Sequence, residues 1–196
     1  AAALAAAAAI ASAAVSQPLP PPERIARPYE QALALYRAGQ LPDALARTER
    51  ALADAPRDVE LRFLRGVLLS ELQRRDEAAD VFTALTQEFP ELPEPHNNLA
   101  VIQAARGELH QARESLQNAL RAVPDYAVAH ENLGDVYLQF AAQSYQQAAK
   151  LEPSNRTPAN KLALTRELIE RLRPATRPAP PPAAPGPAAP AAPIAQ

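Results

Sequence analysis

Small and apolar side chains recur along this chain every 34 residues. In rows of 34 that bring Pro56, Pro90 and Pro124 into one column, the eighth column reads Ala32, Gly66, Ala100 and Gly134. The twentieth reads Ala44, Ala78 and Ala112, and the twenty-seventh reads Ala51, Leu85 and Ala119. Gly39 and Gly107, at column fifteen, can take the left-handed conformation that ends a helix and turns the chain. The proline at column thirty-two stops a helix, because it lacks an N–H and clashes with the preceding turn. Each full row therefore predicts two helices, with the small residues marking where their backbones approach.

Three full rows cover residues 25–58, 59–92 and 93–126, and a shortened fourth covers 127–154. Row two departs from the pattern with Gln73 at the glycine column and Arg62 and Arg65 at packing columns, so it is expected to turn or stack atypically. Row four is regular to Tyr137, and Ala141, Tyr145, Ala148 and Pro153 then match columns twenty to thirty-two. The five residues that would form its turn are missing. Because residues 128–151 hold no Pro and only Gly134, one continuous or sharply kinked helix is favoured over a tight turn between Gln139 and Ala141. Thr157 and Pro158 then start a helix over 158–172, whose stripe of Leu162, Leu168, Ile169 and Leu172 is expected to cap the last hairpin and shield it from water.

The register resembles the tetratricopeptide repeat, whose 34-residue unit carries small residues and a closing proline at these columns. The resemblance implies an all-α, right-handed α-solenoid of antiparallel helix hairpins, with three full repeats, one shortened repeat and a C-terminal capping helix. It also implies that the first helix of each row lines a concave wall. The candidate peptide-binding residues on that wall are Tyr29, Leu33, Tyr36, Phe63, Leu64, Val67, Asn97, Asn98, Val101, Glu131, Asn132 and Asp135. The amides of Asn98 and Asn132, in one column of consecutive rows, are expected side by side in the groove. Glu30, Glu60, Glu71 and Glu94 add negative charge to the wall against Arg37, which favours a neutral or basic peptide or protein partner. A subfamily of such proteins clamps a terminal carboxylate with basic residues, but Phe63, Val128 and Asn132 stand where those belong, so that activity is not expected.

Other chemistries find little support. HENLG at residues 130–134 begins like a zinc-protease helix, but the second ligand position is Gly134, and His96 and His110 are dispersed. There is no Cys, no phosphate-cradling Gly-rich loop and no serine in a nucleophile elbow, so the chain reads as no enzyme and needs no metal or other cofactor. The two column-four histidines, His96 and His130, are expected to be structural. A net charge of −2, with the basic cluster at Arg62, Arg65, Arg74 and Arg75 interrupted by acids, argues against nucleic acid.

The composition of the ends differs from that of the rows. Residues 1–16 are Ala-rich and apolar, too short to span a bilayer but matched to the core of a secretory signal, which points to the bacterial periplasm. Without Cys, lipid attachment and disulfides are excluded. Residues 17–28 read as a Pro-rich linker, and residues 174–196, with nine Pro and nine Ala, as an extended disordered tail. The expected function is a non-catalytic interaction scaffold in an envelope assembly. The alternative is a structural subunit acting through its convex face and tail. The oligomeric state is open, with a monomer favoured.

Overall fold

The computed structural model describes residues 27–171. They form eight helices, α1 (Pro28–Arg37), α2 (Leu41–Asp54), α3 (Val59–Glu71), α4 (Arg75–Glu88), α5 (Pro93–Ala105), α6 (Leu109–Ala122), α7 (Ala127–Leu151) and α8 (Arg156–Arg171), and no strand is present among the described residues. The signal-like run, nearly all of the linker, Leu172 and the Pro/Ala tail lie outside them. Each helix packs on the next in chain order, and α1, α3, α5 and α7 also touch in series, so the hairpins stack into an α-solenoid with these four helices along one wall.

Helix starts follow local chemistry. Pro28, Pro42 and Pro93 occupy first-turn positions where no intrahelical N–H is required. The Asp58 carboxylate accepts a hydrogen bond of 3.0 Å from the Leu61 N–H and caps α3. Helix ends repeat one geometry three times. Gly39, Gln73 and Gly107 have φ of 74°, 61° and 77°, and each donates its N–H to the carbonyl three residues back. The residue after each donates to the carbonyl five back: Gln40 to Leu35, Arg74 to Leu69 and Glu108 to Gln103.

Row two therefore turns as the others do, contrary to the expectation from its sequence. Gln73 adopts the left-handed conformation itself, at a cost of roughly 1 kcal/mol for a residue bearing a Cβ. The arginines also fit without disturbing the stack. Arg62 makes a two-pronged ion pair of 2.7 and 2.6 Å with Glu88 on α4, and Arg65 reaches Glu49 on α2 at 3.6 Å. Their aliphatic stems cover the helices while the charges are neutralised at the rim.

The small columns are where the helices meet. Ala32, Ala44, Ala78, Ala100, Ala112 and Ala119 are all buried, and a Cβ on Gly66 would lie 2.7 Å from the Phe82 ring. The two column-four histidines have the structural role expected of them. The ring nitrogen Nε2 of His96 donates to the Pro90 carbonyl at 3.2 Å and that of His130 to the Pro124 carbonyl at 2.9 Å, each tying a helix to the proline that ends the preceding row.

Row four is the exception to the hairpin pattern. α7 is one helix of 25 residues, which settles the alternatives in favour of continuity. Its first half packs on α6, where Phe140 sits 4.9 Å from the His110 ring and under the Arg113 guanidinium. Its second half carries α8 through the Lys161 ammonium above the Tyr145 ring and a hydrogen bond from Arg166 to Gln146. No residue of α8 is fully buried, and Leu164 and Leu168 remain 67% and 41% exposed. The shielding expected of this helix is thus incomplete, because the hairpin it would cover never closes.

Candidate peptide groove

The wall formed by α1, α3, α5 and α7 carries all twelve candidate residues, but they divide sharply by burial. Tyr29, Leu33, Phe63, Leu64 and Val67 fill the space between successive helices and belong to the core. Tyr36, Val101 and Asp135 are half-buried, and Glu131 is exposed, so these keep surface for a ligand. The amides behave differently from the expectation. Asn97, Asn98 and Asn132 are all buried. Asn132 donates to the Asn97 side-chain oxygen at 2.8 Å, and Asn97 donates to that of Asn98 at 3.2 Å. The cross-row pair is therefore Asn97 with Asn132, and Asn98 joins through Asn97. A buried amide that finds a partner inside the stack is far cheaper than an unbonded one, and the Asn132–Asn97 bond ties α7 to α5.

The charges on the wall carry the electrostatics. Among the described residues Glu60, Glu94, Glu131 and Asp135 form no ion pair, whereas Glu49, Asp76, Glu77 and Glu88 all do. Burial raises the Glu60 carboxyl above its ordinary range, with Asp58 pushing the same way and Arg27 opposing. Asp135 is raised by burial and then by Glu131. The tyrosines respond to the same field. Burial, followed by the charge of Glu60, lifts Tyr29 to about 12, and burial followed by Glu94 lifts Tyr126 to about 12. Tyr36 is raised by burial and by Glu71.

Between α3 and α5 the wall opens into a pocket of about 190 Å³ lined by Val59, Glu60, Phe63, Leu92, Glu94 and Pro95. Its lining is apolar apart from Glu60 and Glu94, a form suited to a long side chain with a hydrocarbon stem and a cationic end. Of these residues only Phe63 is in the candidate set. Val59 and Leu92 fall at the row boundary, where the repeat register alone does not distinguish a connector from a pocket wall. A larger depression of about 610 Å³ lies on another face, between α2, α3 and α4, and includes Glu49, Arg62 and Arg65. Those three charges are already held in ion pairs, which leaves Asp80 as the one lining charge without an ion pair among the described residues, against two carboxylates in the smaller pocket.

No described helix is long and apolar enough to cross a membrane. No curated protein matches this chain by sequence. Its fold is similar to that of MamA 41-end from Desulfovibrio magneticus RS-1, with a TM-score of 0.52 and 18% identity over 74% of this chain and 75% of that one. A crystal structure of MamA protein gives a TM-score of 0.53 and 19% identity over 74% and 82%. Naa15/Naa10 bound to HypK-THB gives 0.50 and 16% over 76% of this chain and 23% of that one. Family models described as tetratricopeptide repeat and TPR repeat match residues 29–93 and 102–139. These matches coincide with the hairpins and with the turn geometry repeated at Gly39, Gln73 and Gly107, and the chain belongs to the tetratricopeptide repeat family.

Proposed function

We propose that the inner wall holds an extended peptide or protein segment with basic side chains, one of which enters the pocket between Glu60 and Glu94. Tetratricopeptide repeats generally serve as non-catalytic scaffolds for protein–protein contact, which gives the coarse role. The observation that carries the finer reading is the set of carboxylates on this wall without an ion-pair partner among the described residues, with Glu60 raised by burial. A carboxylate held in a partly dry site is stabilised by a cation that arrives with the ligand, and the excess charge draws such ligands from a distance. Half-buried Tyr36 and Val101 offer apolar surface for the other side chains.

The test is fluorescence anisotropy with two labelled peptides of alternating sequence, Lys/Ala and Glu/Ala. The Lys/Ala peptide should bind and the Glu/Ala peptide should not. Glu60→Gln with Glu94→Gln should weaken binding five- to ten-fold, about 1–1.4 kcal/mol, while Glu49→Gln on the other face leaves it unchanged. Part of the affinity should fade as salt approaches 0.1 M, where charges are screened beyond ~10 Å. Equal binding by wild type and the double variant would remove the groove from consideration. For location, the Ala-rich residues 1–16 support export into a bacterial envelope assembly. Fractionation of the expressing cell is the check, and recovery in the cytosol alone would exclude it.

A further inference from the structure

Glycine at column eight and an aromatic at column twenty-four occur together in this chain. In row two a Cβ on Gly66 would lie 2.7 Å from the ring of Phe82, so the glycine makes room for that ring. Row four carries the same combination, Gly134 with Tyr145, whereas the rows with Ala32 and Ala100 have the smaller Thr48 and Leu116 instead. The row-four pair, however, is separated. Both residues lie on the single helix α7, where eleven residues at 1.5 Å each place them ~16 Å apart. No described residue comes within 4 Å of a Cβ built on Gly134. Tyr137, one turn further along that helix, is 49% exposed, while Leu69 in the same column of row two is fully buried. Row four thus has a surface shaped for its second helix and a segment with the residues of that helix, but lacks the five turn residues that would bring them together.

We propose that two copies of the chain complete each other, with residues 141–149 of one α7 lying antiparallel on residues 130–138 of the other, and Tyr145 of each copy seated on Gly134 of its mate. The register closes on itself. Setting position 134 against 145 places a two-fold axis between 139 and 140, and the same axis sets Tyr137 against Ala142 and Leu138 against Ala141. Both halves of the contact are then satisfied by one symmetry operation, as a closed dimer requires. A connection too short to let a helix fold back on its own chain is a known route to exchange of that helix between copies. In the single chain α8 lies on this same segment, with the Lys161 ammonium above the Tyr145 ring and Arg166 bonded to Gln146, so the exchange requires α8 to leave the Tyr145 face as the mate's α7 takes its place. This dimer replaces the monomer favoured by the sequence and is independent of what the groove binds.

Light scattering of the full chain at tens of micromolar should give twice the 21.0 kDa chain mass. Restoring the turn by inserting Gly-Glu-Leu-His-Gln, the sequence of residues 107–111, between Phe140 and Ala141 should give a monomer with undiminished helical circular dichroism. The chain has no Cys, so Gly134→Cys with Tyr145→Cys reports directly. Oxidation should give a covalent dimer, because a disulfide spans Cα atoms no more than ~7 Å apart and cannot form along one straight helix. Neither single variant should cross-link. A monomeric wild type, an insertion variant that stays dimeric, or a disulfide that forms within one chain or fails to form would each overturn the proposal.

Discussion

Gly66 offers a test of how tightly this solenoid is packed, because alanine substitution there sets two effects against each other. A new Cβ would meet Cε1, Cζ and Cδ1 of Phe82 at 2.7, 2.8 and 3.2 Å, where carbon atoms ordinarily rest about 3.5–4.0 Å apart. The ring is 1% exposed and tilted against Phe63 at a centroid distance of 5.6 Å, so it has nowhere to retreat without moving a helix. Overpacking of this kind costs about 1–3 kcal/mol, against a gain of about 1 kcal/mol from replacing a mid-helix glycine. The net expectation for Gly66→Ala is a loss of up to about 2 kcal/mol. Phe82→Leu alone removes part of a buried ring and should cost about 1–2 kcal/mol. Together the two substitutions recreate the Ala100/Leu116 combination of row three, and the double variant should lose no more than about 1 kcal/mol, well below the sum. The assay is urea and thermal unfolding followed by helical circular dichroism, where each kcal/mol moves Tm by roughly 2–4 °C. If the two losses simply add, the contact does not limit the approach of α3 and α4, and the reasoning from the Cβ distance fails.

Three further outcomes follow from the fold. Gln73→Gly should stabilise by about 0.5–1 kcal/mol in the same unfolding assay, since it relieves a left-handed residue bearing a Cβ; an unchanged or lower midpoint would contradict the turn geometry. Burial lowers the pKa of His96 below its ordinary value, so its neutral form is the one the fold accommodates. The unfolded chain then binds more protons as pH falls through about 6.5, and this residue's contribution to stability should be lost on acidification. Tm should therefore drop more between pH 7.5 and 5.5 in wild type than in His96→Gln, and parallel profiles would exclude the effect. Asn97→Ala removes the acceptor for Asn132 inside the stack and should cost about 1–3 kcal/mol of stability; an unchanged midpoint with weakened Lys/Ala peptide binding would return that amide to the groove.

The repeat period made the helices legible because it rests on backbone requirements that each row meets alone. A left-handed residue must follow the first helix and a proline stops the second, and both are visible as columns. Gln73 escaped that logic, since a side chain can be forced into the glycine conformation when packing on both sides fixes the turn. The groove was only half legible for a related reason. Periodicity places Leu64, Val67, Asn97 and Asn132 on the right helices and in the wall columns. Whether a side chain there meets solvent depends on the neighbouring row, and the Asn97–Asn132 bond spans 35 residues of sequence. The pocket at Val59, Leu92 and Pro95 is likewise made between rows, so no single row announces it. The absent turn of row four, by contrast, was plain as a gap in the register, and α7 continues through it.

The open state of α8 gives the single chain a polarity along its length. The first three hairpins each bury residues of both their helices, while α8 buries none completely and touches only α7 among the described helices. In an array where every unit is supported mainly by the next, local opening is governed by the number of neighbours lost, and a terminal unit loses fewest. Fluctuations should therefore begin at this edge and advance inward as a moving front, so that one end of the molecule keeps its shape while the other exchanges rapidly between attached and detached forms.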